Sequence, residues 1–151
     1  MNKMQSNFPI SAEVDLQVPF YDVDVMRVAW HGHYVKYFER ARCALLDRLH
    51  YNYAEMENSG FIWPIVDLRV KYVRPARFNQ WIRARATVTE YENRLRMEYL
   101  ICDAKSGERL TTGYSVQVAV EVGSGEMRYA SPPILLEKIE GFLAANAAAN
   151  S

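Results

Sequence analysis

The chain has 151 residues, half of them apolar and 13% aromatic, with 10 Tyr and 3 Trp, which suits one domain with a sizeable core and excludes wholesale disorder. Its 18 Lys and Arg balance 18 Asp and Glu, and neither sign forms a long block, which excludes a large nucleic-acid footprint. Met1 to Ile10 holds no leader-like apolar stretch, no run approaches the roughly 18 to 20 apolar residues that cross a bilayer, and the isolated Cys43 and Cys102 match no metal or redox spacing, so a cytoplasmic protein is expected.

Glu13 to Phe20 alternates polar positions with Val14, Leu16 and Val18, predicting a first strand with one buried face. The run Tyr21-Asp22-Val23-Asp24-Val25-Met26-Arg27-Val28-Ala29-Trp30-His31-Gly32-His33-Tyr34 follows, the sharpest concentration of ionisable groups in the chain. From Tyr34 the period becomes helical, with Tyr37, Phe38, Ala41, Leu45 and Leu49 on one stripe and charges between them. This long helix weakens around His50 to Tyr53 and ends by Asn58-Ser59-Gly60. Val66, Leu68, Val70 and Tyr72 predict a strand that breaks at Arg74-Pro75-Ala76. Ile82, Ala84, Ala86 and Val88 and then, across a turn at Glu92-Asn93, Leu95, Met97, Tyr99 and Ile101 predict an antiparallel hairpin. Beyond Lys105 to Glu108, a long strand is expected with Leu110, Thr112, Tyr114, Val116, Val118 and Val120 on one face, then a short strand at Met127 to Tyr129. Pro132-Pro133 opens a short helix through Phe142, whose Ala/Asn-rich end is expected to fray. The order describes a single α+β domain, core over 13–130 and helix with tail over 131–151, in which one sheet wraps one helix.

A carboxylate just upstream of a helix start lies near unpaired backbone N–H groups and the positive end of the helix dipole, a setting that stabilises anions and developing oxyanions. Asp24 reads either as a turn carboxylate that satisfies backbone donors or as a general base or nucleophile. Asp22, two residues away, fits support of the loop. The quartet Asp22, Asp24, His31 and His33 also invites a metal reading, but alternate residues at a helix start do not share a face, and no metal is expected.

This order, with Asp22, Asp24, Arg27-Val28-Ala29, Trp30-His31-Gly32-His33-Tyr34, Tyr37-Phe38-Glu39-Arg40-Ala41-Arg42 and Val70-Lys71-Tyr72-Val73-Arg74-Pro75-Ala76, resembles the hotdog-fold acyl-CoA thioesterases of the 4-hydroxybenzoyl-CoA thioesterase type over roughly Val14 to Val122. The resemblance implies an antiparallel sheet of about five to six strands around a long central helix, and cofactor-free hydrolysis of an acyl-CoA thioester to a carboxylic acid and a thiol. It implies Asp24 as the catalytic carboxylate and the backbone N–H of His31 as the group that polarises the carbonyl. Trp30, Gly32, His33 and Tyr34 would bind substrate, Arg94 would meet the nucleotide end of coenzyme A, and Asp22 and Arg27 would support the site. A homodimer or dimer-of-dimers tetramer is implied, its second subunit completing the site, with no nucleic-acid partner and no stable membrane insertion. Two positions depart from the pattern: Arg27 replaces the loop glycine, and His33 replaces an asparagine. The alternative functions are a non-catalytic acyl-CoA-binding module, an acyl-carrier-protein thioesterase, and a dehydratase using His31 with Glu39.

Overall fold

The computed structural model describes residues 10–149. The stretch before Ile10, expected to hold no leader, and the last residues of the fraying tail, Asn150 and Ser151, lie outside the described residues. The chain forms β1 (Ser11–Gln17), 3-10 turns at Phe20–Asp22 and His31–His33, α1 (Tyr34–Arg48), α2 (Tyr53–Asn58), β2 (Phe61–Ile62), β3 (Ile65–Tyr72), β4 (Trp81–Glu90), β5 (Leu95–Asp103), β6 (Arg109–Gln117), β7 (Val120–Glu121) and α3 (Pro133–Ala149). Five strands make one antiparallel sheet in the order β1-β4-β5-β6-β3, and β2 pairs with β7 apart from it. Of the described helices, none is long and apolar enough to cross a membrane.

Strand alternation turns Leu16, Ile82, Ala84, Ala86, Met97, Tyr99 and Ile101 toward α1, where all are buried. The helix answers with the expected stripe of Tyr34, Tyr37, Phe38, Ala41 and Leu45. Small residues on the sheet let it come close. Phe38 stacks on Tyr99 with ring centroids 4.5 Å apart, and a methyl group added at Gly113 would collide with the Phe38 ring and the Arg69 carbonyl. A polar seam runs beneath the same helix: the Tyr99 and Ser115 hydroxyls lie 2.5 Å apart. The buried Arg42 donates to Tyr99 at 3.3 Å and to Tyr53 at 3.2 Å.

Four elements differ from the sequence expectation. The long helix is two, because His50 adopts a left-handed φ of 57° and Asn52 begins α2 with a reciprocal cap, its side chain accepting from Tyr53 and Glu55 accepting from the Asn52 N–H. In β6 the predicted apolar set faces the wrong way. Pairing of Tyr99 with Gly113 and Met97 with Ser115 turns Gly113 and Ser115 toward α1 and Thr112, Tyr114 and Val116 away from it. Leu110, beside the register irregularity at Ile101 and Cys102, stays in the core, but beyond it bulk is supplied by Phe38 and Tyr99 and the strand contributes small and polar residues instead. Finally, Met127 makes only an isolated bridge to Val120 where a last strand was expected, and α3 buries Leu135, Ile139 and Phe142 and continues to Ala149.

Gly113→Ala is expected to destabilise the protein by about 1–3 kcal/mol through overpacking. The control is Gly123→Ala, where an added methyl meets nothing within 4 Å. Urea unfolding of the two variants should show a lowered midpoint for the first and an almost unchanged one for the second.

Candidate active site

The segment between β1 and α1 folds back on itself through backbone hydrogen bonds from Asp24 N to Val28 O (3.0 Å), Arg27 N to Asp24 O (2.9 Å) and Trp30 N to Asp22 O (2.9 Å). It is fastened to the connection after β3 by bonds from Ala29 N to Ala76 O (2.7 Å) and Phe78 N to Arg27 O (3.1 Å). The Tyr34 hydroxyl accepts from Ala76 N at 2.9 Å on the helix side. Loop, helix start and β3 end therefore meet in one place.

Val23 is extended, with φ −95° and ψ 151°, so the flanking aspartates point opposite ways. Asp22 is 2% exposed and accepts from Lys36 Nζ and Tyr37 OH, each at 2.8 Å, with His33 Nδ1 at 3.9 Å. Burial pushes its carboxyl up, but the Lys36 and Tyr37 hydrogen bonds and the Lys36 charge outweigh that and hold it below the usual carboxylate range. Burial, with the Asp22 carboxylate, drives the Tyr37 phenol strongly up. Asp24 is exposed, and its Oδ1 accepts from Met26 N at 2.8 Å, closing a tight turn. Its second oxygen has no donor among the described residues. Arg27 completes that turn with a left-handed φ of 63°, which glycine adopts freely and arginine only with strain.

The 3-10 turn His31–His33 then leads into α1, and the first N–H groups of such a turn have no acceptor within it. Tyr72 OH donates to the His31 carbonyl at 2.6 Å and fixes that peptide plane. Trp30 lies against both histidines, with centroid distances of 4.6 Å to His31 and 5.4 Å to His33. A methyl group at Gly32 would run into the indole, which is why the position between the histidines is a glycine.

Two cavities open here. One of about 280 Å³ is bordered by Asp24, His31, Tyr34, Tyr72 and Arg74, and one of about 560 Å³ by Phe20, Tyr21, Val25, Arg27, Phe78 and, again, Asp24. The structure thus brings Asp24, His31 and Tyr34 together, sets Trp30, Gly32 and His33 on the same turn, and places Asp22 behind the loop. Arg27 borders the larger cavity only, and Arg94 borders neither, pairing instead with Glu90 at 3.0 Å. Tyr72, Lys36 and Tyr37 are site residues that sequence reasoning missed. Tyr37 was assigned to the apolar stripe although it carries a hydroxyl that a buried position must satisfy. Among the described residues no group of three or more His, Cys, Asp or Glu is placed to hold a metal ion.

The profile of the thioesterase-like superfamily matches residues 18–143. The chain belongs to this superfamily. It is a thioester hydrolase, with the five-stranded sheet and long helix of the hotdog fold. It is 27% identical over 128 residues to a Synechocystis sp. protein provisionally named an esterase, an alignment covering 84% of this chain and 77% of that protein. A Bacillus subtilis protein provisionally named an acyl-CoA thioesterase, YneP, is 26% identical over 77 residues, covering 51% of this chain and 56% of that protein. The crystal structure of the DHNA-CoA thioesterase from Staphylococcus aureus superposes with a TM-score of 0.77 at 27% identity, covering 92% of this chain and 95% of that one.

Because the Asp22 carboxyl titrates lower in the folded chain than in the unfolded one, it adds stability above its unfolded value of about 3.9, and that stability is lost as pH falls through the lower folded value. Asp22→Asn is expected to lower Tm at neutral pH, by about 1–3 kcal/mol of lost charge-assisted bonding, and to flatten the acid limb of Tm against pH. Thermal melts across the acid range check both. Tyr72→Phe, which frees the His31 carbonyl, is expected to lower kcat more than it raises KM in a thiol-release assay.

Proposed function

We propose that this protein hydrolyses acyl-coenzyme A thioesters, with Asp24 as the carboxylate that acts on the thioester and the His31 N–H as the donor to its carbonyl oxygen. The observation that carries this reading is the cavity shared by Asp24 and the turn that begins at His31. Thioester hydrolysis needs a base or nucleophile on one side of a carbonyl and a hydrogen-bond donor at its oxygen, and the two residues that line this one space supply a carboxylate and, at a helix start, a backbone N–H. As a general base, Asp24 takes a proton from water as the water adds to the carbonyl; as a nucleophile, it forms a mixed anhydride that water then opens. In both routes the tetrahedral oxyanion rests on the helix-start N–H, a donor typically worth about 10²- to 10³-fold in rate, and the thiolate leaves and is protonated.

Gly32, His33 and Tyr34 flank the reacting group, and Trp30 borders it from the exposed side. Asp22 acts through the loop it anchors, and Arg27 lines the acyl side. The acyl group fits the larger cavity, whose walls are Phe20 and Phe78, in edge contact at 5.8 Å, with Val25. Such walls suit the aromatic acyl groups of the 4-hydroxybenzoyl-CoA thioesterase type.

A homodimer, alone or doubled into a tetramer, completes this reading. Among the described residues β3 ends the sheet with an unpaired edge, and Ile65, Val66, Leu68 and Tyr72 are exposed along it. An edge of that kind is a template for a second copy of the same strand, and pairing there would bring a neighbouring chain, with its Arg94, toward the open mouths of the cavities. We place the dimer in the cytoplasm, as a single hotdog domain per chain.

The deciding measurement is thiol release from a panel of aliphatic and aromatic acyl-CoA thioesters. Asp24→Asn is expected to lower kcat by about 10²-fold or more with little change in KM. Turnover within a few-fold of wild type in an intact oligomer would remove Asp24 from the chemistry, and the absence of thiol release from every acyl-CoA of the panel by the wild type would take acyl-CoA out of the reading.

A further inference from the structure

The face of the sheet turned away from α1 carries charge that hydrolysis does not use. Register places Arg69 and Lys71 of β3, Thr112 and Tyr114 of β6, Arg96, Glu98 and Leu100 of β5 and Arg85 of β4 on that face. A groove of about 690 Å³ opens there, bordered by Arg69, Lys71, Arg85, Arg96 and Arg109. Its one carboxylate, Glu98, is held by Arg96 at 2.6 Å, and the Arg96 guanidinium lies over the Tyr114 ring at 4.5 Å.

Four surface arginines outside the groove are matched. Arg74 pairs with Glu108 at 3.0 Å, Arg83 with Asp15 at 2.7 Å, Arg94 with Glu90 at 3.0 Å, and Arg128 with Glu121. In the groove Arg85 reaches Glu13 only at 4.0 Å, and Arg69, Lys71 and Arg109 have no acidic partner among the described residues. Three unmatched cations thus stand together on one face of the sheet, with a single paired carboxylate among them.

They are spread along and across the sheet. Arg69 and Lys71 stand two residues apart, about 7 Å along β3, and Arg109 continues the line roughly 10 Å beyond, past the Lys71 and Thr112 pair. Arg85 faces them from three strand spacings away, roughly 14 Å. We infer that this groove docks an acidic α-helix of a partner protein. A helix is about 10–12 Å across, which fits between the β3 cations and Arg85, and carboxylates along one of its faces would meet cations on both sides.

Other occupants fit less well. A single-stranded nucleic acid would need stacking platforms, whereas Tyr114 is the one aromatic side chain exposed to the groove and Arg96 already covers it. A second copy bound through the same face would set like charges against each other. A single small phosphate would be bound by cations too exposed and too far apart to enclose it. Lys71 and Tyr72 point to opposite faces of β3, so a helix in the groove leaves the Asp24 cavity open.

The test is fluorescence anisotropy with the whole protein and a labelled synthetic helix of about 20 residues carrying Glu at every fourth position. The comparison ligands are its Gln counterpart and a single-stranded DNA of equal net charge. Saturable binding of the Glu helix is expected, with no binding of the Gln helix. Affinity should weaken about tenfold or more in Arg69→Gln/Lys71→Gln and again on adding salt, with thermal melts unchanged by the substitutions. Three results would each overturn the inference: no binding of the Glu helix, binding indifferent to the two substitutions, or DNA binding at least as tight as the helix.

Discussion

Asp22 sits between the loop after β1 and the first turn of α1, its carboxylate held by Lys36 and Tyr37 and its carbonyl accepting from Trp30 N. An unpaired carboxylate at that depth would cost several kcal/mol. The two charge-assisted bonds offset this cost, and they exist only when the loop and the helix are in register with each other. Asp24, which rides on the loop, and His31, which starts the turn into the helix, are thereby held in one frame. The connection after β3 joins the same frame, through the Ala76 N–H on the Tyr34 hydroxyl and the Tyr72 hydroxyl on the His31 carbonyl.

Two residues of one chemical type, separated by a single valine, end in opposite environments because the chain between them is extended. The inner one stabilises, and the outer one is kept exposed with one oxygen fixed by Met26 N and the other without a donor among the described residues. The turn that achieves this contains a left-handed arginine, a conformation costing on the order of 1–3 kcal/mol for a residue other than glycine. Both peptide groups of Arg27 are hydrogen-bonded, its N–H to Asp24 and its carbonyl to Phe78, so the neighbouring structure imposes the strain. Rigid placement of an exposed carboxylate is what chemistry on a bound carbonyl requires.

Periodicity made β1, β4, β5 and α1 legible, because their buried positions are apolar and recur at spacing two or at helical spacing. It failed at β6, where large side chains from α1 and β5 occupy the core and the strand turns Gly113 and Ser115 inward, so the hydrophobic pattern marks the opposite face. The split of the long helical stretch into two had a local signature in the Asn52 and Glu55 spacing that begins α2. At the site, the run of aspartates and histidines stood out by composition, and the helix start beside it by period. The contribution of Tyr72 had no such trace, since its bond to the His31 carbonyl spans 41 positions and depends on how the end of β3 is folded over the loop.

The buried guanidinium of Arg42 has a consequence for the whole platform. A helix laid on a sheet through apolar side chains alone tolerates sliding, and one turn of travel is about 5.4 Å. Moved by that much, Arg42 would keep Glu39, 3.4 Å away on its own helix, but would leave the Tyr99 and Tyr53 hydroxyls and bury guanidinium N–H groups without acceptors, a penalty of about 1–3 kcal/mol. It therefore acts as a key that admits one position of α1 over β5 and β6. The start of the helix lies about 12 Å away at Tyr34, yet its distance from the loop carboxylate is set by this lock near the middle of the helix.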